Sequence, residues 1–281
     1  RRGNGEPIQA DPGTADDVGA VNPKVTIPKR EAIREVSYKL AGIISQIKWM
    51  DDILLADLTA GDCCEDANST GRLFVELGEW LRRKGKRVCV VLNDNEERFI
   101  APLKSISRGH LIPRDEYSFA DGTFVMNEDY GDAVLSLARA GAPGGIVLID
   151  PFGCVERLDL IASAMDRLKR VDVLVSISAA GCKRAAAAHG MTTRTSDIRQ
   201  SLPKPHWHVM EPWSKHQWTL MLGTRASSIS RMPKIKFFPV SSEEGKHICK
   251  VIDRTAKEIS DEESVGLVYQ CEFDQMYGEL F

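Results

Sequence analysis

Short apolar runs that alternate with amphipathic segments restrict the possible folds of this chain more than any other feature. Each run has the length of a strand, and the runs occupy residues 53–56, 87–92, 123–126, 146–149 and 171–177. Strands that are mostly apolar and are separated by helices predict a parallel sheet covered on both faces. We therefore expect an α/β fold with a Rossmann-like, doubly wound and mostly parallel sheet.

Helical periodicity fills the gaps between these runs. Apolar residues recur at three- and four-residue steps from Arg30 to Met50, which predicts a helix with one buried stripe. Further helices are predicted over residues 74–81, 96–106, 132–138 and 157–168.

The last third of the chain has a different pattern. Strand-like runs cover residues 206–210, 217–223 and 234–240, and no obvious helix separates the last two. This predicts a C-terminal antiparallel hairpin that closes the sheet. Ser242, followed by two acidic residues, is expected to cap a helix that reaches about residue 259.

The composition of the 281-residue chain predicts one large domain with an extension at each end. Residues 1–24 are rich in Gly, Pro, Asp and Ala, which is typical of an extended or flexible N-terminal arm. Residues 25–260 are expected to form the α/β domain. Residues 261–281 contain aromatic side chains without a clear period and are expected to be a C-terminal extension.

Several classes of protein are not expected from the residue content. The 7 cysteines form no CxxC pair, which indicates free thiols in a reducing compartment. The chain has neither an apolar run long enough to span a membrane nor a signal-like first segment, so a cytoplasmic location is predicted.

The charge and the histidine spacing restrict the possible ligands. A net charge of −3 argues against simple coating of nucleic acid but allows a local basic patch. No His pair has convincing metal-ligand spacing near an acid, so no metal is expected.

Acidic residues follow three successive predicted strands. Asp57, with Thr59 and Gly61, follows the first strand, Asp94 the second and Asp129 the third. Right-handed crossovers bring these strand ends to one edge of the sheet, where ligands of such folds bind. An aspartate there can accept hydrogen bonds from a ligand, and a glycine lets the backbone approach it. For Asp94 and Asp129, capping of the next helix is the alternative.

The most specific motif follows the fourth of these strand ends. Asp150 is followed by Pro151 and Phe152. The proline stiffens the turn, the aspartate can accept a hydrogen bond from an exocyclic amino group, and the phenylalanine offers a stacking face. Such a pocket suits a flat base presented to a methyl donor, whereas a purely structural strand-to-loop turn is the alternative.

A basic and aromatic segment covers residues 182–218. It combines six Lys or Arg with four His and three Trp, and holds only two acidic residues. These groups could hold phosphates and stacked bases. The residues predicted to bind nucleic acid are Lys183, Arg184, Arg194, Trp213, Lys215 and His216. In the alternative interpretation, Trp207 and Trp218 are core residues of antiparallel strands and the charges are solvated.

The order of the strand-end motifs resembles motifs I to IV of class I S-adenosylmethionine (SAM)-dependent methyltransferases. The motif at residues 150–153 resembles the fourth motif of tRNA guanine-N2 dimethyltransferases. It resembles even more closely that of the three-Cys-motif partner proteins, which are bacterial and phage-encoded relatives of the same fold. The likeness covers roughly residues 30–255 and implies a class I methyltransferase fold with SAM as cofactor.

The resemblance also implies roles for the residues. Asp57 and Gly61 would line the methionine side of SAM, with Thr59 beside them. Asp94 would bind the ribose hydroxyls, and Asp129 the adenine. The residues facing the methyl acceptor would be Asp150, Pro151 and Phe152, and the expected reaction is methyl transfer to an amino nitrogen of a nucleic-acid base.

The first loop departs from the family pattern. Asp62, Cys63 and Cys64 follow Gly61, where the family usually has further glycines. Their side chains could crowd the cofactor. The alternative function is therefore a catalytically inactive protein with a methyltransferase fold that binds a partner.

Overall fold

A computed structural model describes most of the domain that the sequence predicts. The described residues are 23–61, 69–141, 144–151, 155–179, 182, 193–211, 218–229 and 235–253. The predicted N-terminal arm, apart from its last two residues, and the predicted C-terminal extension lie outside these ranges. No helix in the described part of the chain is both long and apolar enough to cross a membrane.

Helices and strands alternate through the first two thirds of the domain, as the sequence predicts. The helices are α1 (Pro23–Ser45), α2 (Thr70–Arg83), α3 (Glu97–Ser107), α4 (Tyr130–Ala140), α5 (Leu158–Arg167), α6 (Thr195–Ser201) and α7 (Glu243–Ile252). The strands are β1 (Asp52–Asp57), β2 (Arg87–Asn93), β3 (His110–Leu111), β4 (Gly122–Met126), β5 (Gly145–Ile149), β6 (Val171–Ser178), β7 (His206–Met210), β8 (Trp218–Thr224) and β9 (Phe237–Pro239).

All of these strands belong to one sheet in the order β3-β4-β2-β1-β5-β6-β8-β7-β9. The strands from β3 to β6 pair in parallel. β8 lies antiparallel between β6 and β7, and β9 pairs antiparallel with β7. A doubly wound parallel sheet with an antiparallel C-terminal part is the class I methyltransferase fold that the sequence predicts.

The core lies in two layers, one on each face of the sheet. Along β1, Ile53 and Leu55 point into the layer that contains α1, α2 and α3. Their neighbours Leu54 and Ala56 point into the layer that contains α4, α5, α6 and α7. Because successive strand side chains face opposite sides, an entirely apolar strand is what burial on both faces requires.

The first helix differs from the prediction at both ends. It begins at Pro23 rather than Arg30 and ends at Ser45 rather than Met50. After Ser45 the backbone tightens into turns, and Lys86 Nζ donates hydrogen bonds to the carbonyls of Ile47 (2.9 Å) and Met50 (2.8 Å). These bonds add a donor to two carbonyls just beyond the end of the helix, where intrahelical partners are missing. The Ile47 carbonyl also accepts from the Met50 N–H at 3.2 Å.

Two short elements were not predicted, β3 and α6. Neither is long enough to show a hydrophobic period, which is the signal on which such predictions depend. The predicted cap of the last helix is confirmed, because the Ser242 hydroxyl accepts a hydrogen bond from the N–H of Gly245 at 3.0 Å.

Candidate functional site

The strand order reverses between β1 and β5. From β1 the chain continues to β2 on one side, and from β5 it continues to β6 on the other. In open α/β sheets, ligands bind in the crevice outside the carboxyl ends of the strands at this switch point. Asp57 ends β1 and Asp150 follows β5, so these two residues flank the crevice.

Asp57 is a fully buried carboxyl group at this point. Burial raises its pKa and the neighbouring carboxylates of Asp150 and Asp94 add to the rise, so that the pKa lies at about 7. The N–H of Thr59, which donates to Oδ1 at 3.2 Å, and the hydroxyl of Thr70 act in the opposite direction. The second oxygen, Oδ2, completes no hydrogen bond with the described residues. A buried acceptor atom without such a bond is costly unless a ligand supplies a donor.

The first loop turns at Gly61, where φ is +58°. Among the described residues, only the Thr59 carbonyl comes as near as 4.0 Å to a Cβ atom placed there, so these residues leave the backbone accessible to a ligand. The Gly61 N–H donates to Asp94 Oδ2 at 2.9 Å, and the Glu96 N–H donates to Oδ1 at 2.9 Å. Burial raises the pKa of the Asp94 carboxyl, which is 8% exposed. The structure thus brings Gly61 and Asp94 together.

Asp150 is held from two sides. Its backbone N–H donates to the hydroxyl of Thr59 at 2.8 Å, which joins the ends of β5 and β1. Its Oδ1 forms an ion pair with Nζ of Lys29 on α1. The Lys29 ammonium also lies 5.8 Å from the ring centroid of Trp218, the first residue of β8. Pro151 follows directly, and Phe152 lies outside the described residues.

Sequence reasoning missed Lys29 as a residue of this site. No local signal marks it, because one lysine on a helix is usually solvated and nothing in the sequence relates α1 to the end of β5. Only the packing of α1 against the sheet brings the two residues together.

Two asparagines at the strand ends, Asn93 and Asn127, were not predicted as residues of the site. Asn93 Nδ2 donates to the carbonyls of Leu58 and Glu128, both at 2.9 Å, and so connects the ends of three adjacent strands. Asn127 Nδ2 donates to the Asp94 carbonyl at 2.8 Å. These amides position the backbone around the crevice.

Asp129 caps α4, which was the alternative interpretation of this residue. Its Oδ1 accepts a hydrogen bond from the Gly131 N–H at 2.8 Å and lies 3.7 Å from the Arg157 guanidinium. A carboxylate has further acceptor sites, so the cap leaves it able to accept from a ligand.

Only residues 182, 193–211 and 218 of the basic and aromatic segment fall within the described part of the chain. Arg194 precedes α6, and its backbone N–H donates a hydrogen bond to Oδ2 of Asp197 at 2.9 Å. Trp218 is 2% exposed in β8, and Trp207 in β7 packs beside Gly223. Trp218 is thus a core residue of its strand, as the alternative interpretation holds, whereas Trp207 is partly buried and packs against the core. The other predicted binding residues, Lys183, Arg184, Trp213, Lys215 and His216, lie outside the described ranges.

The crevice combines hydrogen-bond acceptors with a backbone turn that a ligand can approach. Three carboxyl groups meet there, those of Asp57, Asp94 and Asp150, and one of them is paired with Lys29. Within the ranges that the structure describes, no three His, Cys, Asp or Glu side chains are placed to hold a metal ion. The arrangement can bind a ligand that carries amino and hydroxyl groups.

Comparisons with known proteins give only faint likenesses. No protein-family model and no curated protein matches the chain. Among solved structures, protein LPL1258 of Legionella pneumophila, assigned to the family DUF519, is 11% identical with a TM-score of 0.41, covering 79% of this chain and 91% of that one. SMU.776, described provisionally as a methyltransferase and solved with SAH, is 9% identical with a TM-score of 0.33, covering 66% of this chain and 48% of that one. The methyltransferase-like fold of the chain rests on its own strand order and register.

Proposed function

We propose that this protein is a SAM-dependent methyltransferase that acts on an amino nitrogen of a nucleic-acid base. One observation carries the proposal: the buried carboxyl of Asp57 ends β1 at the switch point of the doubly wound sheet, close to Asp150 at the end of β5. The cofactor supplies a methyl group activated on a sulfonium. The protein's task is to bind the two reactants and to align the amino nitrogen with that methyl carbon.

The crevice fits the methionine and ribose parts of the cofactor. In the proposal, Asp57 Oδ2 accepts from the cofactor's α-ammonium group, whose positive charge offsets the cost of ionising a buried carboxyl. The positive φ and open space at Gly61 admit a ligand close to the backbone. Asp94 uses one lone pair of each oxygen for a backbone N–H and keeps others for two hydroxyl groups.

The acceptor end is assigned to Asp150, Pro151 and Phe152. Asp150 accepts a hydrogen bond from the amino group and orients its nitrogen, while its own backbone is fixed by Thr59. Phe152 is proposed to stack on the base, and Asp129 to accept from the adenine of the cofactor.

A second candidate, a partner-binding protein with an inherited fold, is favoured by a different observation. Asp94 and Asp150 already have partners within the chain, namely Gly61 and Lys29. An inherited crevice that no longer binds a ligand would be expected to satisfy its polar groups internally in this way.

Calorimetric titration with SAM and with S-adenosylhomocysteine (SAH) tests the proposal. We expect micromolar binding by the wild type and at least about tenfold weaker binding by Asp57→Asn and Asp94→Asn, since each variant removes a charged acceptor. Asp52→Asn is the matched control, because Asp52 begins the same strand that Asp57 ends. Absence of binding by the folded wild type at millimolar ligand would exclude the cofactor role and favour the partner protein.

A further inference from the structure

The contact between Lys29 and Asp150 restricts what the proposed acceptor site can bind. Asp150 Oδ1 is buried and faces the Lys29 ammonium. The Asp150 side chain as a whole is nevertheless 16% exposed. Because Oδ1 is buried, this exposed surface belongs to the remaining side-chain atoms, of which Oδ2 is the polar one. One oxygen is therefore committed to Lys29, and the other remains to accept a hydrogen bond.

The Lys29 ammonium is itself held in place. It lies 5.8 Å from the centroid of the Trp218 ring, close enough for a cation–π attraction. The ring is fixed in turn, because Trp218 Nε1 donates to Ser176 Oγ at 2.6 Å and the residue is 2% exposed. Lys29 therefore stands as a fixed positive charge beside the carboxylate, with 23% of its side chain exposed.

This charge arrangement discriminates between two kinds of amine. An unpaired aspartate would attract an alkylammonium ion, as found on protonated lysine side chains and polyamines. With Lys29 in place the carboxylate is already neutralised, and a second cation within a few ångströms meets like-charge repulsion. A neutral aromatic amino group donates one hydrogen bond to Oδ2 without that cost. It also retains the lone pair that a methyl transfer needs.

We propose that Lys29 is a specificity-determining residue that admits neutral aromatic amines to the Asp150 site and excludes alkylammonium ions. This inference rests on the proposed function, because it takes Asp150 to be the acceptor of the amino group's hydrogen bond. Lys29 acts through Asp150 and through its own charge, and takes no part in the transfer of the methyl group.

Two isomeric probes test the proposal. At neutral pH 4-methylaniline is uncharged and benzylamine is a cation, although the two have the same atoms. Each is titrated into SAH-saturated protein, and binding is followed by saturation-transfer difference NMR. We expect the wild type to bind 4-methylaniline at least about tenfold more tightly than benzylammonium, since like charges placed together are strongly unfavourable. Lys29→Met should remove or reverse this preference.

Two further variants separate charge from structure. Lys29→Arg keeps the positive charge and should keep the wild-type preference. Lys39→Met removes a lysine from the second half of the same helix and should also leave the preference unchanged. If Lys29→Met fails to fold, Lys29→Gln replaces it. The preference of the wild type is measured in any case, and its absence would contradict the proposal.

Several results would overturn the proposal. They are an unchanged preference in Lys29→Met, a wild type that favours benzylammonium, and a wild type that binds neither probe. Tighter binding of both probes by Lys29→Met would show instead that Lys29 blocks the site. Failure of the proposed function is recognised separately, because it appears as absence of SAH binding. In that event the probes are titrated into the protein alone, where the preference due to Lys29 is still measurable.

Discussion

Thr59 and Asp150 are joined by a hydrogen bond of 2.8 Å, from the backbone N–H of Asp150 to the hydroxyl oxygen of Thr59. Thr59 lies two residues beyond the end of β1, and Asp150 lies directly after β5. The bond therefore links the two strand ends at the point where the strand order reverses. It also sets the position from which the Asp150 side chain reaches Lys29.

Loss of this hydroxyl should both destabilise the domain and disturb the site. We expect Thr59→Val, which keeps the shape of the side chain, to lower the free energy of unfolding by about 1–3 kcal/mol, because a partly buried N–H loses its partner. Urea denaturation measures this. Thr59→Ser retains the hydroxyl and is the control; a loss of equal size in the serine variant would show that packing, not the hydrogen bond, is responsible.

The buried carboxyl of Asp57 should make stability depend on pH. Its pKa of about 7 in the folded protein lies above the ordinary aspartate value of 3.8, so the folded state binds the proton more tightly than the unfolded state. The wild type therefore loses stability as pH rises from about 4 to 7, whereas Asp57→Asn does not. At pH 8 we expect the asparagine variant to be more stable than the wild type by on the order of 2–4 kcal/mol, and at pH 4 nearly equal.

Urea denaturation of both proteins at several pH values measures this difference. The dependence of the unfolding free energy on urea concentration serves as the control, because equal slopes show that both proteins expose the same surface on unfolding. A stability difference that stays constant between pH 4 and pH 8 would contradict the raised pKa of Asp57.

The turn at Gly61 allows backbone strain to be separated from ligand binding. We expect Gly61→Ala to lower the unfolding free energy by about 1–2 kcal/mol, since a residue with Cβ is disfavoured at positive φ. It should also weaken SAH binding at least about tenfold, because the new methyl group enters the space proposed for the ligand. Gly85→Ala is the matched control, because Gly85 has a φ of +81° and no atom of the described ranges lies within 4 Å of the added Cβ. Gly85→Ala should lose a similar amount of stability and keep the wild-type affinity for SAH. If both variants bind SAH equally well, the ligand does not lie at Gly61.

A buried lysine on the opposite side of the fold gives a second pH effect. Burial lowers the pKa of Lys204 from 10.5 to about 8, while its Nζ donates to the carbonyls of Leu168 (2.9 Å) and Val171 (2.6 Å). The unfolded chain holds the proton more tightly, so the wild type gains stability as pH rises from about 8 to 10.5. Lys204→Met should therefore cost about 1–3 kcal/mol more at pH 10 than at pH 7, measured by urea denaturation. A cost that is independent of pH would contradict the lowered pKa.

Asp150 should matter for transfer much more than for cofactor binding. We expect Asp150→Asn to lower the rate of label transfer from tritiated SAM to total bacterial tRNA by about 10²-fold or more, which is typical of losing a group that orients a reactant and its proton. SAH affinity should change by less than about threefold, because this side chain faces the acceptor in the proposal. Asp159→Asn, an exposed residue in the first turn of α5, is the control. Equal transfer rates in Asp150→Asn and the wild type would exclude the assigned role.

The elements of the parallel half of the sheet could be predicted from the amino-acid sequence. The apolar runs that predict β1, β2, β4, β5 and β6 lie within one or two residues of the observed strands. The cap at Ser242 was also predictable, because the hydrogen bond it makes reaches only three residues along the chain. Such features depend on local periodicity and local hydrogen bonding, and both can be read from neighbouring residues.

The contents of the site and the order of the last strands depend on tertiary packing and could not be predicted from the sequence. The sequence predicts antiparallel strands near the C-terminus, but their positions depend on packing between distant segments, which inserts β8 between β6 and β7. The contact of Lys29 with Asp150 arises in the same way, since α1 must dock on the sheet before its ammonium can reach the end of β5. Burial decided the rest: an aspartate such as Asp57 looks ordinary in the sequence, and its pKa near 7 exists only because the folded chain removes it from water.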